Sequence, residues 1–475
     1  MGYFSILMML LPVREIPAGT HLEIRLMTPV GTYASKIGAP VSAVLIASIM
    51  DDRDVLLPAG TILGGQVKTV RRVGLGIVHE TSAIALEFNR VTLPDSTVYP
   101  ISARVIEVDN ARERVRNGVI SAERSTGSLS NRAAGYVRMA VVLNLHAQLG
   151  LWAVKTLMVD VPEPEIYYPA GVDLTLALNS GVTVAPREET GDLPRTLTTE
   201  EAAALDDVIA AMPERTANRS HHASDLINVM FIGSREQLSA AFLAAGWSQT
   251  PSATFGSHLR NIRAVMSNTG NRIAPMSTLL VDGASADMMW QKGLNDVGKR
   301  HHIRIWKRAE TWNGEEIWIG AATHDVDYAF LRAGMPVTHR IAQDIDRERD
   351  KVVHDLEFES SVDLADWIER PDIDREMHNA TGDLMTTDGR LAVIRLRTRP
   401  AAQLTVEARS DTLPRHGKMM ERFARREILS MRNDLLRNNS YWRSYEAIRW
   451  AVTATRKHSE PVEPLGRVSG FVSLR

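Results

Sequence analysis

Arg300-His301-His302-Ile303-Arg304-Ile305-Trp306, followed past Trp312-Asn313-Gly314 by Trp318-Ile319-Gly320-Ala321-Ala322-Thr323-His324-Asp325, reads as two β-strands joined by a tight turn. A plain structural hairpin alternates apolar with small polar residues. This one carries imidazoles, guanidinium groups and a carboxylate, which marks it as a binding surface or a place for chemistry. Side chains alternate across a strand, so Ile303 and Ile305 share one face and His302, Arg304 and Trp306 the other. On the second strand Ile317, Ile319 and Ala321 share a face, leaving Trp318, Gly320, Ala322 and His324 opposite. Burying both isoleucine sets together requires an odd-length loop, which Trp312-Asn313-Gly314 supplies with Gly in the left-handed position. That register predicts His302 across from His324, Arg304 across from Ala322 and Trp306 across from Gly320, with the small residues leaving room above Arg304 for a ligand.

Around the hairpin the texture is mixed. Residues 226–232 and 278–281 read as strands, 234–246 as a helix with Leu238, Ala241, Phe242 and Ala245 on one face, 343–356 as a second helix and 391–396 as a last strand. Strands interleaved with helices give an α+β domain at 223–400. In the second helix Asp346, Asp350 and His354 form one stripe, with Ile345, Val352 and Leu356 on the buried side. Two carboxylates at i and i+4 repel unless a cation stands between them. Arg347 or Arg349 in local pairs, a divalent metal, or the guanidinium of Arg300 or Arg304 would each serve. Thr338-His339-Arg340 brings another imidazole and a cation towards the start of this helix, where an anion is also welcome.

The first half is all-β. Ile16-Pro17-Ala18-Gly19-Thr20, Leu57-Pro58-Ala59-Gly60-Thr61 and Tyr168-Pro169-Ala170-Gly171-Val172 share a Pro-x-Gly turn followed by an alternating strand. With further strands at 41–50, 83–93 and 98–108 they predict an antiparallel barrel or sandwich over 15–183, interrupted by a helical insertion at about 130–158. Residues 1–14 are apolar and read as the remnant of an incomplete export signal or as a buried first strand. The apolar run 137–159 contains Arg138, Asn144, His146, Gln148 and Lys155, which favours a packed or amphipathic helix over a membrane span. Residues 184–222 read as a linker with one helix, opened by a capping box of Thr198 and Glu201. The tail, 401–475, is helical and basic, with eleven Lys and Arg against four Asp and Glu between residues 413 and 457. It could lie on an anionic membrane, bind nucleic acid, or cover the neighbouring domain with its face of Phe423, Ile428, Met431 and Leu435.

At 475 residues the chain is long enough for two or three cores. It has no cysteine, which excludes disulfides, thiolate nucleophiles and cysteine-ligated zinc or iron–sulfur centres. Any metal must use His and carboxylates. A net charge of −2 gives no global pull towards nucleic acid. There is no GxSxG, HExxH, P-loop or dinucleotide fingerprint.

The first half resembles the TrbI-like family of type IV secretion core-complex subunits, through its PxGT turns and the phrase Phe88-Asn89-Arg90-Val91-Thr92-Leu93-Pro94-Asp95. That resemblance implies a barrel with a helical insertion before its last strand. The second half resembles the LssY C-terminal domain family over about residues 223–400. The resemblance is carried by Ser224-Asp225-Leu226-Ile227-Asn228, Ala245-Gly246-Trp247, Ala274-Pro275-Met276-Ser277, the hairpin strands, Asp344-Ile345-Asp346-Arg347-Glu348-Arg349-Asp350 and Asn379-Ala380-Thr381-Gly382-Asp383. It implies the bacterial cell envelope, periplasmic or membrane-associated, and phospholipids nearby.

Two functions compete on these grounds. One is an envelope protein whose barrel docks onto a larger assembly, a secretion assembly among the candidates, while the second domain binds a phosphorylated or lipid-derived anion through Arg300, His302, Arg304, Trp306, His324, His339 and Arg340. The other is a metal-assisted hydrolase of phosphate or other esters, with His302, His324, His339, Asp344, Asp346 and Asp350 as ligands of a divalent metal or as acid–base groups.

Overall fold

The computed structural model describes residues 13–51, 54–76, 79–123, 164–186, 194–250, 276–296, 298–330, 337–398, 413–414 and 417–437, with 146, 150 and parts of 441–449. The expectations for the apolar N-terminus and for the segments 130–158 and 137–159 fall outside the described residues, apart from Val13, Arg14, His146 and Gly150.

The molecule is mostly β. Six strands close the first half into a barrel: β1 (His21–Leu26), β2 (Pro40–Leu45), β3 (Ile62–Arg71), β4 (Ala83–Thr92), β5 (Val98–Val108) and β6 (Asp173–Leu178). Their order is β4-β3-β2-β1-β6-β5, and β5 returns to pair with β4, Glu87 opposite Arg104. Closure removes the exposed edges of an open sheet. Alternating residues such as Leu22, Ile24, Leu45, Leu63, Phe88, Val105 and Leu176 fill the interior. Each Pro-x-Gly turn seats its glycine at positive φ (Gly19 85°, Gly60 84°, Gly171 91°). There its N–H donates to a neighbouring strand, at Leu178, Leu45 and Leu26 respectively, over 2.7–2.9 Å. The sequence repeat is therefore a barrel-corner device.

The second half centres on a sheet of β7 (Val229–Ile232), β8 (Ser248–Gln249), β9 (Met288–Gly293), β10 (Arg300–Trp312), β11 (Glu315–Phe330), β12 (Val337–Ile341), β13 (Val362–Glu369) and β14 (Arg390–Leu396). The order is β8-β9-β10-β11-β7-β14-β13, with β12 also on β11. The described helices are α1 (Thr199–Ala211), α2 (Arg235–Ala244), α3 (Asp346–Phe358) and α4 (Met419–Arg437), and shorter strands accompany both sheets. Helices α2 and α3 cover one face, packing Phe242, Val352 and Leu356 on Phe231, Ile303 and Ile305. Helix α1 covers the other, packing Leu205 with Met230, Trp306, Ile317 and Ile319.

Two expectations change here. The turn has two residues, Asn313 and Gly314, both at positive φ (50° and 80°), so Trp312 pairs with Glu315. Asn-Gly is the favoured type I′ pair, whose twist matches the flanking strands. The even loop inverts the parity: His301 faces His324, His302 faces Thr323, Arg304 faces Ala321 and Trp306 faces Ile319. Ile303 and Ile305 lie on one face and Ile317 and Ile319 on the other, and all four are buried because both faces are covered. Secondly, much of the expected linker is integrated into the second half. Arg195 bridges to Leu364, Leu205 is fully buried, and Arg215–Ala217 pairs with Ala223–Leu226 and with Leu280.

Candidate functional site

The strongest concentration of buried charge lies where the barrel meets the second sheet. Arg25 on β1 and Asp173 on β6 come from the barrel; Lys292 at the end of β9, and Lys351, Asp355 and Glu359 on or just after α3, come from the other side. Arg25 donates to Asp173 (2.8 Å), Asp355 (3.3 Å) and Glu359 (3.0 Å). Lys292 reaches Asp173 at 2.8 Å and Asp355 at 2.9 Å; Lys351 reaches the same two carboxylates at 3.0 and 2.7 Å. Trp247 Nε1 donates to Asp355 at 3.0 Å. Burial alone would raise the pKa of Asp173 and Asp355, but the surrounding cations hold both well below the usual carboxylate range. Three cations and three anions thus neutralise one another across the seam. Burying them isolated would cost several kcal/mol per ion.

Beside this network, His301 spans the same boundary. Its Nδ1 lies 2.5 Å from Glu348 of α3, and its Nε2 lies 2.8 and 2.9 Å from the two oxygens of Asp109, which follows β5. Burial pulls the imidazole towards neutrality; Asp109 and Glu348 outweigh it and raise its pKa to about 10. Asp109 is correspondingly held at about 2, against its own burial, by His301. His324 stacks on His301 with ring centroids 4.2 Å apart, and its Nε2 is 3.0 Å from Asn110 Oδ1. Burial, and then the charge on His301, push His324 down to about 3. The result is a stacked pair with one charged and one neutral ring. Among the described residues, Asp109, His301 and His324 form a group whose ligand atoms all lie within 4.8 Å of one another. The loop after β5 is further tied down by Asn295, whose Nδ2 donates to Glu113 at 2.8 and 3.0 Å, and by Lys299, which donates to the Ala111 carbonyl at 2.9 Å.

The residues singled out in the sequence are dispersed around this seam. Arg300 is buried and donates to Asp325 (2.9 Å) and Gln291 (3.3 Å). His302 is on the opposite face from His324, 2.7 Å from Thr323 Oγ1, so the predicted His302–His324 pair does not form. Arg304 divides its donors between Asp225 (3.3 Å) and Ser277 (2.9 and 3.1 Å), which fills the space expected for a ligand. Trp306 donates to the Ala284 carbonyl. Asp346 and Asp350 are joined by Arg349, at 3.2 and 2.9 Å, so the cation between them is the local guanidinium. Asp344 accepts from the Asp346 backbone N–H, and His354 faces Glu23 of the barrel at 3.7 Å. Arg340 is largely exposed, 3.7 Å from Asp383. The His339 backbone pairs in β12, and its side chain falls outside the described residues.

Sequence reading passed over Asp109, His301 and Glu348 and the whole charge network. One signal was present. Lys351 and Asp355 stand at i and i+4 beside the apolar Val352 and Leu356, and a charged pair at the margin of a buried stripe needs a partner surface.

Residues 209–391 match the model of a protein family described as LssY C-terminus, a stretch that holds α2, α3, His301, His324 and the sheet strands except most of β14. Among solved structures the chain is similar to ComB10 of the Com type IV secretion system of Helicobacter pylori, at 14% identity over 37% of this chain and 93% of that chain, with a TM-score of 0.21. No curated protein matches it.

Proposed function

We propose that the protein is a peripheral component of the bacterial cell envelope. In this reading the barrel and the LssY-like domain act as one docking body, and helix α4 attaches that body to an anionic lipid surface. The observation that carries the reading is the helix itself. Its inner face is pinned to the barrel: Arg425 donates to Glu165 at 2.8 Å, and Arg432 to the carbonyls of Gly76 (2.9 Å) and Glu80 (3.1 Å). Its other face displays Met420, Ile428, Met431 and Leu435 in one stripe, with Met420 73% and Leu435 74% exposed. Tyr441, Tyr445 and Ile448 are exposed as well, within a segment rich in Arg and Lys. Apolar side chains flanked by cations and aromatics suit a helix lying in the headgroup region, and each chain buried there contributes about 1.5–3 kcal/mol. Among the described residues no helix is long and apolar enough to cross a membrane. The resemblance to the LssY C-terminal family adds support for the envelope.

Flotation of the full chain with vesicles tests this. Binding is expected to vesicles containing phosphatidylglycerol, to be weak to pure phosphatidylcholine, and to fall about tenfold in the double variant Met431→Asp, Leu435→Asp with its melting temperature unchanged. Equal recovery with both vesicle types, or an unaffected variant, would overturn it.

A further inference from the structure

The seam charges balance one another except at its solvent-facing end, where Asp109, His301 and His324 converge. They come from two halves of the molecule: Asp109 from the loop after β5, His301 from the start of β10 and His324 from the facing position on β11. Glu348 holds Nδ1 of His301 at 2.5 Å, which leaves Nε2 pointing at the Asp109 carboxylate. A carboxylate on the far nitrogen of an imidazole is the usual outer-shell support of a metal-ligating histidine, fixing its ring orientation and raising its basicity. The Asp109 side chain is 20% exposed, so the group has a way in from solvent.

We propose that Asp109, His301 and His324 bind a divalent transition cation of the zinc class across the boundary between barrel and sheet, with Glu348 as the positioning residue for His301. Two nitrogens and one carboxylate oxygen suit zinc, cobalt or nickel, whereas magnesium and calcium prefer oxygen throughout. First-row ions sit about 2.0–2.2 Å from such ligands, so ligand atoms stand roughly 3.3 Å apart. To admit the ion, His301 gives up its Nε2 proton, its 2.8 Å contact with Asp109 opens by about half an ångström, and His324 turns from Asn110 and out of its stack on His301. Three protein ligands leave a fourth position for water. The cation charge faces Asp109 and Glu348, with Lys351 and Arg347 as the opposing charges nearby.

The test uses the full chain stripped by chelator and titrated with zinc by calorimetry and with cobalt by visible absorption. One ion per chain is expected, with cobalt d–d bands. Asp109→Asn and His324→Ala should each weaken binding by more than the roughly 10–100-fold that Glu348→Gln costs as the loss of an outer-shell partner. The two variants lie on different halves, and thermal melts identify which remain folded, so at least one serves even if the other is unstable; His324→Gln is the reserve. No stoichiometric binding by the unmodified chain, or unchanged affinity in a folded variant, would overturn the proposal.

Discussion

Arg304 is 3% exposed, and its guanidinium is divided between the Asp225 carboxylate and Ser277. Removing it strands a buried carboxylate. Arg304→Ala should therefore cost about 3–5 kcal/mol in urea denaturation, the size expected when one partner of a buried pair is deleted. Arg340→Ala should stay within about 0.5 kcal/mol, since that side chain is largely exposed. A small loss at Arg304 would count against this pairing; burial pushes the Asp225 pKa up and Arg304 only partly opposes this. The identity of these polar residues was plain in the sequence, but their roles were not. Alternation says which side chains share a face and is silent on whether a second layer covers it, so Arg300 and Arg304 looked free when they are internal ion-pair partners.

The turn at Asn313 and Gly314 decides the faces of the whole hairpin. Gly314→Val should lose about 1–3 kcal/mol, because a β-branched residue is held at φ +80°. Inserting one residue between Asn313 and Gly314 should abolish cooperative melting, since a slip of one exchanges every side chain between the two covered faces. Retained cooperativity would show that the strands re-register through the irregularity between Lys307 and Thr311. Elements of this kind were legible wherever local chemistry specifies them. The capping box at Thr198/Glu201 forms, and the Pro-x-Gly corners stand at the expected places. Loop parity was not legible from burial, because the premise of one covered face was false: the continuous apolar run of β7 is buried throughout, as a doubly covered strand requires.

At the scale of the molecule, the seam makes stability depend on pH through two histidines, His301, whose pKa is raised to about 10, and His354. Burial lowers the His354 pKa, but Glu23 across the boundary outweighs this and raises it from 6.5 to about 9. A raised folded-state pKa stabilises fully below pH 6.5, and that contribution disappears as pH rises through 9. The melting temperature of the full chain should fall between these values, and His354→Gln should make the fall shallower, with the remainder belonging to His301; an unchanged slope in the variant would place the titration elsewhere. Apart from the Lys351 and Asp355 pair, this seam was not readable from the chain, because its partners are far apart in sequence: Arg25 and Asp355 are separated by 330 residues, Asp109 and His301 by 192. That separation bears on how the protein is made. The ribosome releases every barrel strand before Lys292 exists, so the barrel can close first and wait with Glu23 and Asp109 bare to water and Asp173 held by Arg25 alone. Synthesis from the N-terminus turns the last step into the capture of a cationic surface by a preformed acidic one. A chain diluted from denaturant has no such head start and must search for the same contacts with both halves unformed.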